Sequence, residues 1–367
     1  MNRPTRAAFA VASRAASFAP PRFSLRFSLR FSLRCALPSA RSATGAAATL
    51  LAITLVGAGL ATRPARAQDY PAHPVQMVVP YAAGGSADVL GRVIAQEMAG
   101  PLGQSVVVEL KPGAGGNLGA EQVAKNSRAD GYTFLFASVS LATSVSLSKL
   151  NFDPRKDLVP VAGVATIPSL MVIAADSPYK TLPELVKAAR DNKVQVSFGS
   201  SGNATGSHLV GELFKAAAGI DMLHVPYKGS GAVYPDLIAG RITILTDVMG
   251  SALGMVKGGK VRALGITSLH RSKTLPEVPT IAEQGYPDFE FGTWFGFFAP
   301  AGTPPDAVRK LEAAALKALQ TEAVKERLDA VGAQLLPGPG PEFGKWYLND
   351  VERWARLVRE GRVKPVE

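Results

Sequence analysis

Short apolar runs alternate with amphipathic segments of helical period from Pro74 onward. Continuous apolar runs of this length are typical of buried β-strands. Nine such strands are predicted, at Val75–Pro80, Val106–Leu110, Tyr132–Ala137, Leu170–Ala174, Val194–Phe198, Met222–Val225, Ile242–Thr246, Val261–Thr267 and Trp294–Ala299.

The segments between these strands carry helix signals. In the first of them, Leu90, Val93, Ile94 and Met98 recur on one helical face, and Thr181 with Glu184 has the spacing of a capping box. Four helices are predicted with some precision, at Ala87–Gly100, from Thr181 to about Arg190, from Thr303 to about Leu319, and at Pro341–Glu360. Strands and helices that alternate in this way predict an α/β fold, with parallel or mixed sheets covered by helices on both faces.

Three loops after predicted strands are rich in Gly and Ser and run directly into helical sequence, at 80–88, 112–119 and 199–208. In a doubly wound sheet, ligands bind at the carboxyl ends of the strands. A Gly-rich turn into a helix exposes backbone N–H groups, and the helix dipole favours an anion there. None of the three loops contains Lys or Arg, so the pattern predicts an anion site built from neutral donors. The alternative is that the glycines only make tight turns.

Gly84 and Gly85 lie between the first predicted strand and the first helix. So short a turn requires either unusual backbone angles or close approach of a ligand, and glycine permits both.

Enzyme signatures are incomplete in this sequence. Leu118 stands where the third Gly of G-x-G-x-x-G is needed, and the sequence after Ser201 does not match G-x-S-x-G. The four histidines have no metal-ligand spacing. His208 is expected to pack or cap, and His224 to be a hydrogen-bonded core residue. A hydrolase that uses Ser201, with His208 and an Asp, or Ser86 remains the alternative from another class.

Charge is concentrated at one end of the chain. The formal net charge is +11, but residues 1–67 contain ten Arg and no Lys, Asp or Glu, so the remainder is nearly neutral. This distribution does not indicate nucleic-acid binding. A 16-residue apolar run, Gly45–Leu60, follows the Arg-rich stretch and precedes the A-x-A sequence Ala65–Ala67. This arrangement predicts a cleaved export signal, with Gln68 as the first mature residue, because a membrane-spanning helix needs about 20 residues.

Cysteine content agrees with export. Cys35, the only cysteine, lies before the apolar run, so the mature chain can form no disulfide. The stability of the exported protein must then come from core packing.

Several segments together resemble one family. The chain is similar to the Bug-type extracytoplasmic solute receptors, the binding components of tripartite tricarboxylate transporters. The resemblance rests on segments in the same order along nearly the whole mature chain, at 79–88, 111–119, 129–133, 198–203, 225–230, 260–264, 275–283, 294–296 and 300–304.

The resemblance implies a two-lobed, type II periplasmic binding protein, each lobe a mixed sheet flanked by helices. Lobe 1 would comprise 70–168 and 293–367, lobe 2 would comprise 169–292, and two crossovers near Pro168 and Gly292 would form the hinge. The implied ligand-binding residues are Tyr81, Ala83, Gly84, Gly85, Ser86, Asp88, Ser201, Asn203, Thr205, Tyr227 and Asp247. Asp247 could alternatively cap a helix.

The implied function is that of a periplasmic receptor, not an enzyme. It would close on a di- or tricarboxylate, an acidic amino acid or an aromatic acid and deliver it to a membrane permease. We expect a monomer with no cofactor, no metal and no nucleic-acid partner. A receptor that reports to a two-component sensor would have the same sequence features. Ala204, Gly206, Ala232 and Val248 depart from the family's usual residues near the cleft, so the identity of the carboxylate stays open.

Overall fold

Ten strands and ten α-helices follow one another along residues 70–365, the part of the chain that this computed structural model describes. The predicted export signal lies outside the described residues. The strands are β1 (Val75–Val79), β2 (Val106–Leu110), β3 (Thr133–Ser138), β4 (Leu158–Ala174), β5 (Val196–Ser200), β6 (Met222–Pro226), β7 (Ile244–Val248), β8 (Val261–Ile266), β9 (Gly292–Pro300) and β10 (Gln334–Leu335).

The helices include the four predicted ones, with ends shifted by one or two residues. The ten α-helices within residues 70–365 are α1 (Ser86–Leu102), α2 (Asn117–Glu121), α3 (Ser140–Leu147), α4 (Leu182–Arg190), α5 (Gly206–Ala218), α6 (Tyr234–Ile238), α7 (Met249–Lys257), α8 (Pro305–Ala318), α9 (Glu322–Ala330) and α10 (Gly340–Arg359). Short 3₁₀ turns occupy Ala114–Gly116, Ser230–Ala232 and Ala282–Gln284, and a π-helical turn occupies Gln122–Asn126. The predicted capping box is confirmed: Thr181 Oγ1 accepts from the Glu184 N–H, and the Glu184 side chain accepts from the Thr181 N–H.

The sheet is mixed, which confirms the predicted fold class. Strand β1 pairs in parallel with β2 and β3, and β5 pairs in parallel with β6 and β7. Strand β9 is antiparallel to β3 and β4, and β4 is antiparallel to β7 and β8. Parallel strands place their carboxyl ends at one edge, so the loops that follow them gather into two groups.

Strand β4 links these two groups. Its first part pairs with β9 as far as Pro168 opposite Gly292, and its second part, from Ser169, pairs with β7 and β8. The sequence predicted only Leu170–Ala174 of this strand, because the prolines and glycine within 158–168 are typical strand breakers. The structure accommodates them through two register shifts against β9.

The C-terminal helix α10 packs against β4 and β9. Phe343 lies where a Cβ at Gly296 would overlap its ring, so glycine in β9 allows this close approach. Within α10, the buried Asp350 carboxylate accepts hydrogen bonds from the indole N–H groups of Trp294 (2.8 Å) and Trp354 (3.2 Å). The predicted terminal helix with its tryptophans is therefore an integral part of the core. None of the helices within 70–365 combines the length and apolar character that crossing a membrane requires.

Candidate functional site

A cavity of about 970 Å³ lies where the loops after the parallel strands converge. Its wall contains all three Gly- and Ser-rich loops and the loop after β6. The lining residues are 80–83, 85–87, 112–116, 118, 138, 201–203, 205–207, 226–232, 247, 248, 251, 293 and 295.

Most of the predicted ligand-binding residues lie in this wall. Nine of the eleven line the cavity: Tyr81, Ala83, Gly85, Ser86, Ser201, Asn203, Thr205, Tyr227 and Asp247. The three loops singled out in the sequence are thus brought together by the fold, although the first and the third are more than 100 positions apart in the chain.

Gly84 and Asp88 are not part of the lining. The Asp88 carboxylate is buried behind the first loop, where it accepts from the Gly84 N–H (2.9 Å) and from Arg92 Nε (2.6 Å). Its negative charge is already compensated by Arg92. Asp88 therefore stabilises the turn, and its prediction as a cavity residue does not fit this geometry.

The two glycines of the first loop differ in backbone conformation. Gly84 has a φ of +76°, the left-handed region that favours glycine, whereas Gly85 has a φ of −74° and a ψ of 166°, which any residue adopts. Gly85 is the N-cap of the 17-residue helix α1 and lines the cavity. The turn therefore needs a glycine at Gly84 for its conformation, whereas the missing side chain at Gly85 leaves space open in the cavity.

The ring of Tyr81 lies in the cavity wall at the first loop. Its hydroxyl group is bonded to Ser140 Oγ (2.7 Å), and it accepts from the Ser138 N–H (3.1 Å) and Oγ (2.7 Å). Burial raises the pKa of Tyr81, so the hydroxyl stays neutral. Because three protein groups already form hydrogen bonds with this hydroxyl, Tyr81 contributes the surface of its ring to the cavity wall.

Hydroxyl groups dominate the third loop. Ser201 Oγ lies 2.8 Å from Ser207 Oγ and 3.2 Å from Thr205 Oγ1, and the Ser201 N–H donates to Ser207 Oγ (2.8 Å). Such a cluster offers neutral hydrogen-bond donors at the start of helix α5.

The hydrolase alternative requires a serine that is hydrogen-bonded to a base. His208 Nδ1 instead accepts from the Ala204 N–H (3.1 Å), and His224 Nε2 is bonded to Ser200 Oγ (2.6 Å). The other candidate, Ser86, is paired with Ser251, 2.8 Å between the Oγ atoms. Neither Ser201 nor Ser86 has the imidazole partner that nucleophilic catalysis needs. His208 is buried and accepts from the N–H of Ala204, the residue before the N-cap Thr205, whereas His224 is hydrogen-bonded as expected but only partly buried.

Asp247 lies at the end of β7 and is 2% exposed. Its Oδ2 accepts from the Tyr234 hydroxyl (2.9 Å), and burial raises its pKa to about 7. The N-cap of α7 is Val248, with no side-chain capping bond, so Asp247 does not cap that helix. Among the lining residues Asp247 is the only acid and Lys228, which is exposed, the only base.

Tyr227 lines the cavity but directs its hydroxyl group elsewhere, donating to Asp236 Oδ2 (2.6 Å). Asp236 also accepts from the Arg241 guanidinium, which compensates its charge. The hydrogen bond between Tyr227 and Asp236 therefore fixes the loop after β6.

Several lining residues were not among the predicted ones. The second Gly-rich loop was recognised as an anion-binding candidate, but its residues 112–116 were not assigned to the site. Ser138 and Ser251 contribute hydroxyl groups, and Phe295 contributes an apolar surface from β9. Ser251 lies one turn beyond Asp247, in a helix that the sequence pattern did not predict.

Loops from the two strand groups touch each other at the cavity. Besides the pair between Ser86 and Ser251, Thr143 Oγ1 donates to the Ala204 carbonyl (2.9 Å). A Cβ at Gly115 would overlap the Asn203 carbonyl oxygen, and one at Gly229 would lie 2.8 Å from the Ala82 Cβ. These approaches leave no room for larger side chains at Gly115 or Gly229.

No group of three or more His, Cys, Asp or Glu side chains within 70–365 is arranged to hold a metal ion.

Comparisons with known proteins agree with this architecture. Residues 90–362 match the family model described as "Tripartite tricarboxylate transporter family receptor". The chain is 38% identical over 318 residues to "Protein BugT" of Bordetella pertussis, covering 86% of this chain and 97% of BugT. The solved structure of "periplasmic binding protein BugD" is similar with a TM-score of 0.77 at 35% identity, covering 81% of this chain and 100% of BugD. A structure of MatC from Rhodopseudomonas palustris "with bound malate" is similar with a TM-score of 0.74 at 32% identity, covering 79% of this chain and 100% of MatC.

Proposed function

The chain belongs to the tripartite tricarboxylate transporter receptor family, and on that premise we propose that it binds a small organic carboxylate and delivers it to a membrane permease. It acts as a receptor and catalyses no reaction. The malate bound to MatC supports a carboxylate as the class of ligand.

The observation that carries this proposal is the chemistry of the cavity wall. Three loops bring backbone N–H groups and Ser and Thr hydroxyl groups to one space, with Lys228 as the only basic side chain in the lining. Two of these loops begin helices of 17 and 13 residues, whose dipoles favour an anion at their N-termini. Neutral donors of this kind hold a carboxylate through charge-assisted hydrogen bonds.

Binding proceeds by closure of two lobes. Lobe 1 comprises 70–168 with 293–367, lobe 2 comprises 169–292, and β4 and β9 connect them. The pairs Ser86–Ser251 and Thr143–Ala204 join residues of opposite lobes and hold the closed form. A ligand that contacts both lobes only when they are closed shifts the population toward that form.

The receptor works outside the cytoplasm. Residues 1–67 act as an export signal that is removed at Ala67–Gln68, and the mature protein acts as a monomer in the periplasm. The structure of the periplasmic relative BugD supports this location.

Calorimetry on a matched acid and amide tests the proposal. The ligand is first identified by mass spectrometry of small molecules released from the purified protein, and by titration with a panel of dicarboxylates that includes malate. Replacing one carboxylate by the amide removes charge-assisted hydrogen bonds, each worth about 1.5–3 kcal/mol, so the amide should bind at least about tenfold more weakly. Equal affinities for acid and amide would contradict an anion site.

A further inference from the structure

Two histidines are stacked directly behind the third Gly- and Ser-rich loop. The ring centroids of His208, in α5, and His224, in β6, are 4.0 Å apart with an interplanar angle of 21°. Phe198 also stacks on His224, at 4.8 Å, and its ring centroid lies 6.3 Å from that of His208. Neither histidine lines the cavity, so neither is available to contact a ligand.

His208 holds one end of the loop. Its Nδ1 accepts from the Ala204 N–H (3.1 Å), and Ala204 has a φ of +58°, a left-handed conformation that alanine rarely adopts. The preceding residue, Asn203, lines the cavity. Ala204 is 1% exposed, so its N–H is shielded from water in the unmodified protein.

His224 holds the other end. Its Nε2 is bonded to Ser200 Oγ (2.6 Å), and the same Oγ accepts from the Gly202 N–H (3.2 Å). The two imidazoles therefore fix the backbone on both sides of Ser201 and Asn203.

Both imidazoles are neutral at physiological pH. Burial lowers the pKa of His208 to about 3 and that of His224 to about 4, and the neighbouring ring contributes to the shift of His208. The Glu212 carboxylate lies on the side of the other ring nitrogen, with its Oε1 4.0 Å from Nε2. The Nδ1 lone pair therefore remains available as an acceptor.

We propose that His208 and His224 are positioning residues that hold the loop 200–205 in its carboxylate-binding conformation through their hydrogen bonds. The proposal rests on the proposed function, because it assigns these side chains to the affinity of the same site. Removing a bond lets the loop leave its competent conformation, and the apparent affinity falls by the competent fraction.

The test compares two replacements of His208 that separate hydrogen bonding from packing. In His208→Asn, Oδ1 takes the place of Nδ1 as acceptor, whereas His208→Leu retains apolar volume without an acceptor. We expect His208→Asn to bind malate, or the dicarboxylate of the panel that the unmodified protein binds best, within about threefold of the unmodified protein. His208→Leu should bind about 5- to 100-fold more weakly, since it leaves a buried N–H unpaired.

A packing role for His208 predicts the opposite order of affinities, so tighter or equal binding by His208→Leu overturns the proposal. His270→Leu is the matched control, because His270 is exposed and should leave the affinity unchanged. At the other end of the loop, His224→Gln should bind more tightly than His224→Leu, because the glutamine amide can bond to Ser200 Oγ in place of Nε2.

A second readout needs no ligand. Amide hydrogen exchange at Ala204, whose residue is buried and whose N–H is bonded to His208, should be slow in the unmodified protein and in His208→Asn, and about tenfold or more faster in His208→Leu, because the exchange of a buried amide follows local opening. Unchanged exchange in His208→Leu overturns the proposal. If no carboxylate binds to the unmodified protein, the proposed function fails, while exchange still decides whether the histidines hold the loop.

Discussion

The adjacent glycines Gly84 and Gly85 allow ligand binding and folding to be disturbed separately. We expect Gly85→Val to weaken carboxylate binding by about tenfold or more with little change in stability, and Gly84→Val to lose stability while its affinity is retained. The reason lies in their positions: Gly85 lines the cavity with an ordinary backbone conformation, whereas Gly84 lies outside the lining with a left-handed one.

The stability of each variant follows from its backbone. A left-handed φ costs an L-residue about 1–3 kcal/mol, so Gly84→Val should be destabilised by that amount, although its Cβ would meet no atom within 4 Å. At Gly85 the new Cβ meets only the Ala82 carbonyl oxygen, at 3.4 Å. Valine is a poorer N-cap than glycine, by about 1 kcal/mol, but it lowers the entropy of the unfolded chain by a similar amount. The net change for Gly85→Val should be within about 1 kcal/mol.

The affinities should follow the opposite order. Three additional carbon atoms at Gly85 displace a carboxylate from the N-terminus of α1. The loss of even one charge-assisted hydrogen bond there costs about 1.5–3 kcal/mol, or about 10- to 150-fold in affinity.

Urea unfolding and ligand calorimetry on the same preparation of each variant measure both quantities. Gly100→Val serves as a control for a new side chain in open space on the same helix. Normal affinity in Gly85→Val would refute the assignment of the first loop to the site, and the lobe 1 half of the site would then have to be sought in the loop 112–116. A large loss of stability in Gly85→Val would refute the backbone argument.

Three further predictions concern closure, charge and processing. Gly115→Val should lower the affinity by more than about tenfold, because its side chain would collide with Asn203 where the two loops meet. Small-angle scattering with saturating ligand should give a larger radius of gyration than for the unmodified protein. An unchanged radius of gyration would contradict the collision. The pKa of Asp247 in the folded protein is raised to about 7, so its contribution to stability is present below pH 4 and is lost as the pH rises through 7. In urea unfolding, Asp247→Asn should therefore gain stability relative to the unmodified protein between pH 5 and pH 8. Parallel pH profiles of the two proteins would contradict burial of the charge. N-terminal sequencing of protein from the periplasm should begin at Gln68, and an intact chain in the membrane would contradict export.

Local sequence signals were sufficient for much of this fold. The apolar runs gave the positions of β1 and β2 to within a residue, and the Thr181–Glu184 capping box gave the start of α4. The capping box depends on contacts between residues that are close in sequence. The apolar runs reflect the burial of each strand in the core. The loops at 80–88 and 199–208 were predicted to bind an anion for the same reason: the Gly-rich turn and the following helix are adjacent in the chain.

The features that the sequence did not reveal depend on distant contacts. The first part of β4 contains strand breakers, and only its pairing with β9 keeps it extended. Asp88 matched the cavity pattern, but its ion pair with Arg92 and its bond to Gly84 direct it away. The left-handed conformation of Ala204 depends on an acceptor that belongs to the next helix, and the choice of Ser251 as a partner of Ser86 depends on how the two strand groups meet.

The near absence of cations from the cavity wall also bears on how the receptor releases its ligand. A buried Arg would hold a carboxylate through a bidentate ion pair, and breaking a buried pair by removing one partner typically costs about 3–5 kcal/mol. Backbone N–H and hydroxyl groups leave no uncompensated charge behind when the ligand departs, so an empty site of this kind contains no buried unpaired cation. Burial of the Asp247 carboxyl raises its pKa to about 7 and so favours its neutral form, whereas the ionised form would repel a bound anion. Affinity in such a site also depends on how well the loops are held in place, which is the role that we propose for His208 and His224 behind the third loop.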